Sequence, residues 1–157
     1  MPDCRLVLAG LDHQEFSKII AQRMERYSAD ERSRIIQVPD FDNDLKKHIY
    51  ASIDMLVMPS RVDCFGIVYL EAWAFGKPVI ACRNFPQETV ITSGEDGLLV
   101  DYGNVAQISA AILEMLRSPQ KRREMGENGR RSLNTKFLLS DYARNMLEIY
   151  HQTKDRS

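Results

Sequence analysis

Short apolar runs alternate along this chain with segments whose apolar residues fall three and four apart, and that alternation limits the fold more than any other feature. Residues 4–9 (CRLVLA), 35–38, 55–59 (MLVMP), 79–81 and, more weakly, 98–100 read as strands. Between the first two, Asp12 can open a helix with Glu15 as its capping-box partner, and Phe16, Ile19, Ile20, Met24 and Tyr27 give that helix one apolar face. Asn43 or Asp44 can cap a helix through Ser52 that turns Leu45, Ile49 and Ile53 inward. Three helices close the chain. Asn104 caps the first, with Ile108, Ala111, Ile112 and Met115 on one face; Ser118-Pro119 starts the second; Ser140 or Asp141 starts the third, with Met146, Ile149 and Tyr150 on one side. Strands separated by helices of this length need crossover connections, which predicts an α/β fold: a doubly wound parallel sheet with helices on both faces.

At 157 residues the chain suits a single domain over 1–157, large enough to bury a core without disulfides or metal. Its formal net charge of -1 implies no bulk attraction to nucleic acid or to anionic lipid. Cys4, Cys64 and Cys82 are odd in number and far apart, which argues for reduced thiols and a cytoplasmic setting. No signal peptide and no long apolar stretch is visible, so membrane contact is expected to be at most peripheral, at the inner face of a membrane. His13, His48 and His151 are scattered and form no ligand constellation; no metal site is expected.

Ligands of doubly wound sheets bind at the carboxyl ends of the strands. The third strand ends in residues 59–66 (PSRVDCFG), followed by residues 67–75 (IVYLEAWAF), whose only charge is Glu71. A helix apolar nearly all round is expected to be buried, and a carboxylate within it needs a partner. Two readings stand side by side: a structural ion pair with an Arg or Lys, or a carboxylate that meets ligand hydroxyls in a cleft. Gly66 either eases the strand-to-helix turn or lets a ligand approach the backbone, where the amides of Phe65, Gly66 and Ile67 would form an anion site. Asp63 adds a second carboxylate eight positions before Glu71. Trp73 reads as core, Cys64 as a spacer, and the cluster Arg117, Lys121, Arg122, Arg123, Arg130 and Arg131 as a solvated helix face.

Residues 60–81 (SRVDCFGIVYLEAWAFGKPVIA) resemble the signature of the family 4, or group 1, glycosyltransferases of GT-B fold. That signature has two glutamates separated by seven residues, Phe-Gly after the first, and a Gly-x-Pro-Val-Ile-Ala strand entry after the second. Phe65-Gly66, Glu71 and residues 76–81 stand in matching places, and the likeness extends to residues 45–60, 93–100 and 126–130. The resemblance implies a Rossmann-like C-terminal half of a GT-B enzyme that transfers a hexosyl-type sugar from a nucleoside diphosphate sugar, with retention and without a metal cofactor. It implies catalytic or binding roles for Asp63, toward the donor sugar, and Glu71, toward the ribose hydroxyls. The backbone of Phe65, Gly66 and Ile67 would lie beside the diphosphate and sugar. It further implies that the family's first strand and loop, with their Arg and Lys, and the acceptor-binding N-terminal domain lie outside this chain or in a separate subunit, so that the chain alone is inactive. A non-catalytic nucleotide-sugar-binding or docking module is the alternative. The chain departs from the pattern at Asp63, which replaces a glutamate; at Phe85-Pro86, where Gly-Gly is usual; at Glu88, out of register with the family's next glutamate; and at Pro39, where glycine is common.

Overall fold

The computed structural model describes residues 4–10, 14–61, 66–83 and 85–154. The chain divides into two compact units, Met1–Ile53 and Asp54–Ser157. All described strands pair in parallel, so mixed α/β structure with parallel sheets is observed, as the alternating pattern predicts.

In the first unit, β1 (Leu6–Gly10) pairs with β2 (Ile35–Pro39) in register Leu6–Ile35 through Gly10–Pro39. Helices α1 (Gln14–Met24), α2 (Ala29–Ser33) and α3 (Asn43–Ser52) complete it. The Asp12 cap predicted for α1 lies outside the described residues. Of the apolar face expected of α1, Ile20 and Met24 are partly buried while Ile19, and Tyr27 just beyond the helix, are about half exposed; the side chain of Phe16 lies outside the described ones. Leu45, read as inward, is 44% exposed, and Leu6 and Ile36 of the two strands are 49% and 41% exposed. Two paired strands offer too little apolar surface to cover every apolar residue of the helices beside them. Helix α2 escapes the periodicity test because it is one turn long, yet it carries a full capping box. The Ser28 amide donates to Glu31 Oε2 at 2.8 Å and the Glu31 amide to Ser28 Oγ at 3.2 Å, which holds the Glu31 carboxyl below its usual range. Asp42, not Asn43 or Asp44, caps α3, accepting from the Leu45 amide at 2.8 Å.

In the second unit, β3 (Leu56–Met58), β4 (Val79–Cys82) and β5 (Gly97–Val100) form a sheet in that order. α4 (Ile67–Ala74) and α5 (Phe85–Val90) link them, and α6 (Val105–Arg117), α7 (Pro119–Lys136) and α8 (Leu139–Lys154) follow. Residues of β4 are fully buried, as befits a central parallel strand. Ile80 and Val100 meet Ala111 and Met115 of α6 and Met125 of α7 in one core cluster, with Ile108 and Ile112 packed against it. Asn104 caps α6, accepting from Gln107 at 3.1 Å, and Ser118 with Pro119 starts α7, both as expected. Helix α8 begins at Leu139, one residue before the predicted start. Arg122, read as part of a solvated helix face, is instead largely covered. Its Nη1 donates to the carbonyls of Met115 and Leu116 at 2.6 and 3.0 Å, satisfying the open C-terminus of α6.

Candidate functional site

The carboxyl ends of β3, β4 and β5 lie along one edge of the second sheet, where a parallel α/β layer leaves room for a ligand. Past β3 the chain makes a tight turn, with the Ser60 amide donating to the Met58 carbonyl at 2.8 Å. Asp63, Cys64 and Phe65 lie outside the described residues. Gly66 then enters α4 as its N-cap, in a left-handed conformation of φ 80° and ψ 46°, and among the described residues no side chain caps the helix there. Only glycine takes this position without strain. The Tyr69 ring adds a second demand for glycine, since a Cβ on Gly66 would stand inside the van der Waals radii of its Cδ2 and Cε2. The turn at Gly66 is therefore built on the buried Tyr69, whose hydroxyl donates to the Met58 carbonyl at 3.4 Å.

Helix α4 corrects the expectation of burial all round. Tyr69, Ala72 and Trp73 are fully buried, but Ile67 is 64% exposed and Ala74 is exposed. Glu71 follows Ile67 by four residues and precedes Ala74 by three, so it belongs to the open stripe of the helix. It is half-buried there, five residues, or about one and a half turns, beyond Gly66 at the carboxyl edge of the sheet. The hydrophobic content of the segment concealed this sidedness, because the open stripe carries isoleucine and alanine.

The buried stripe of α4 is locked against α7. Alanine at Gly126 would bring its Cβ into the Gly76 carbonyl, and alanine at Gly129 into the Trp73 indole. Trp73 Nε1 donates to the Asp96 carbonyl at 2.9 Å. The Asp96 carboxylate, only 2% exposed, accepts from the Thr92 amide and from the Ser132 hydroxyl, each at 2.8 Å. Burial raises the Asp96 carboxyl above its usual value, against the opposing pull of these hydrogen bonds. Asp96 thus joins α4, the turn before β5 and α7. The sequence offered no sign of this beyond an aspartate beside a glycine. Trp73 is core, as read.

A second polar group at the sheet edge was not foreseen. Arg83 directly follows β4; its amide donates to the Val100 carbonyl at 2.7 Å, and its side chain lies 3.5 Å from Glu88 and 3.8 Å from Asp101. Asp101 also exchanges hydrogen bonds with Gln107, at 2.7 Å through its amide and 2.9 Å through its carboxylate. The visible signal was an arginine placed immediately after an all-apolar strand. Glu88, to which no family role transfers, has this local one. Burial and the nearby Asp101 raise the Cys82 thiol above its usual value, and Cys82 and the exposed Cys4 are both free.

Among the described residues no group of three or more His, Cys, Asp or Glu side chains is placed to hold a metal. No helix among them is long and apolar enough to cross a membrane. Within the basic cluster, Lys121 pairs with Glu114 and Arg122 with Asp54, and Arg131 donates a hydrogen bond to Asn128. Pro39 ends β2 opposite Gly10, and the left-handed residue there is Asp40, with φ 44°.

The family described as Glycosyl transferases group 1 matches the chain over residues 1–132. N-acetyl-alpha-D-glucosaminyl L-malate synthase of Bacillus anthracis is 28% identical over 149 residues, which cover 95% of this chain and 38% of that protein. Among solved structures, sucrose-phosphate synthase of Thermosynechococcus elongatus superposes with a TM-score of 0.84 at 28% identity, covering 98% of this chain and 39% of that one. Anabaena HepE, solved in complex with UDP, superposes at 0.87 with 21% identity, covering 97% of this chain and 42% of that one. The chain therefore spans about two fifths of the length of each of these three proteins.

Proposed function

We propose, because the chain belongs to the group 1 glycosyl transferase family, that it forms the donor-binding part of an enzyme that moves a sugar from a nucleoside diphosphate sugar to an acceptor. The observation that carries this reading is Glu71, a half-buried carboxylate on the open stripe of an otherwise apolar helix, about one and a half turns from a glycine-only helix start. A carboxylate accepts two hydrogen bonds from a vicinal diol and needs no metal to do so. Glu71 accordingly takes the ribose hydroxyls. The amides of Gly66 and Ile67, with that of Phe65, take the diphosphate, aided by the dipole of α4. Asp63 takes hydroxyls of the donor sugar. The resemblance to a protein solved with UDP supports a uridine nucleotide as the first probe.

Sugar transfer also requires an acceptor held in line and a closed cleft, and that positioning supplies much of the rate. The second wall of the cleft comes from an acceptor-binding domain or a separate subunit, and the 157-residue chain alone is inactive in this reading. Titration of the chain with UDP, followed through its amide resonances, tests the donor site. Saturable shifts at Gly66 and Ile67 are expected, and Glu71→Gln should weaken binding by roughly 1.5–3 kcal/mol while leaving the fold intact. Undisturbed resonances at millimolar UDP refute the assignment, as does sugar transfer by the chain alone refute its incompleteness.

A further inference from the structure

We infer that Tyr69 is a positioning residue for the donor: it fixes the helix start at Gly66 relative to the end of β3, and so sets where the Gly66 and Ile67 amides stand. The inference rests on the proposed donor site and deepens it. Tyr69 is fully buried and spans two separate pieces of backbone. At one end its ring fills the space beside Gly66 so closely that no Cβ fits there. At the other its hydroxyl donates to the carbonyl of Met58, the last residue of β3, at 3.4 Å. Its own amide donates to the Gly66 carbonyl at 2.9 Å, closing the first turn of α4. One side chain thus ties strand end to helix start across the intervening segment in sequence. An aliphatic residue would fill the same space but would carry no group to reach the strand.

The hydroxyl is not needed to satisfy Met58. That carbonyl already accepts from the Ser60 amide at 2.8 Å. Removing the hydroxyl leaves no orphaned buried acceptor, so the stability cost is small and any larger effect reports position. A donor held by backbone amides has no side-chain rotamer with which to recover a misplaced contact, which makes such a site sensitive to small shifts.

The test compares the full 157-residue chain with its Tyr69→Phe and Ser132→Ala variants. Ser132→Ala removes a hydroxyl bonded to Asp96, away from the donor site, and serves as the stability control. UDP affinity, melting temperature and the ligand-free amide shifts of Gly66 and Ile67 are measured for all three. Tyr69→Phe is expected to move the Gly66 and Ile67 shifts and to raise the UDP dissociation constant about fivefold. Ser132→Ala is expected to lower the melting temperature at least as much while leaving affinity unchanged. Wild-type affinity in Tyr69→Phe, or equal loss in Ser132→Ala, overturns the inference. If the unsubstituted chain binds no UDP, the donor site itself fails. Ligand-free shifts at Gly66 and Ile67 then still decide whether the hydroxyl positions the turn, and unchanged shifts refute it.

Discussion

Alanine at position 126 sets two effects of opposite sign against each other. Gly126 lies in the middle of the 18-residue helix α7, where replacing glycine by alanine ordinarily stabilises a helix by about 1 kcal/mol. The new methyl would also be driven into the carbonyl of Gly76, which is backbone at the turn that ends α4 and cannot rotate aside. Relief requires α7 to draw away from α4, loosening the contact of Gly129 with Trp73 and the core around Met125. Overpacking of this kind costs about 1–3 kcal/mol and can exceed that where backbone must move. Because backbone must move here, the cost lies at the upper end of that range; with the helix gain subtracted, a net destabilisation of about 2 kcal/mol is expected, or a melting temperature lower by about 4–8 °C at this size. Urea denaturation should show a lower midpoint at unchanged slope. Asn134→Ala, at an exposed position of the same helix, isolates propensity and should stabilise by a few tenths of a kcal/mol. A Gly126→Ala variant as stable as the native chain, or more so, would refute the close packing of α7 on the end of α4.

Three further outcomes follow from the same structure. Asn104→Ala should cost about 1 kcal/mol through loss of the α6 cap, and Asn104→Asp should restore most of it, as read by urea denaturation. Because burial raises the folded-state carboxyl pKa of Asp96, its contribution to stability is greatest below the unfolded value of 3.8 and declines as pH rises through the folded one. The melting temperature of Asp96→Asn relative to the native chain should therefore rise with pH across that window, and a difference that stays flat would place the carboxyl in water. Finally, UDP binding should survive excess EDTA; binding that vanishes and returns with magnesium would overturn the metal-free donor site.

Much of the second unit was legible because its signals are local. Apolar runs gave β3, β4 and β5 within a residue or so, and Asn104, Ser118 and Pro119 announced α6 and α7. Residue order also placed Gly66 and Glu71 five residues apart, about one and a half helical turns, which is a property of chain spacing alone. The side of α4 on which Glu71 stands was not legible. Isoleucine and alanine on the open stripe look like core in any sequence pattern, and only packing of Tyr69, Ala72 and Trp73 on the other side distinguishes the two. Likewise the Tyr69 hydroxyl reaches Met58, Asp96 receives Ser132 and Arg83 lies near Asp101, all by contacts between separate elements of the chain. Spacing along a helix or strand is fixed by covalent geometry and can be read from residue types. Which side of an element meets solvent is decided by what the other elements have left uncovered, and that is settled only when they pack.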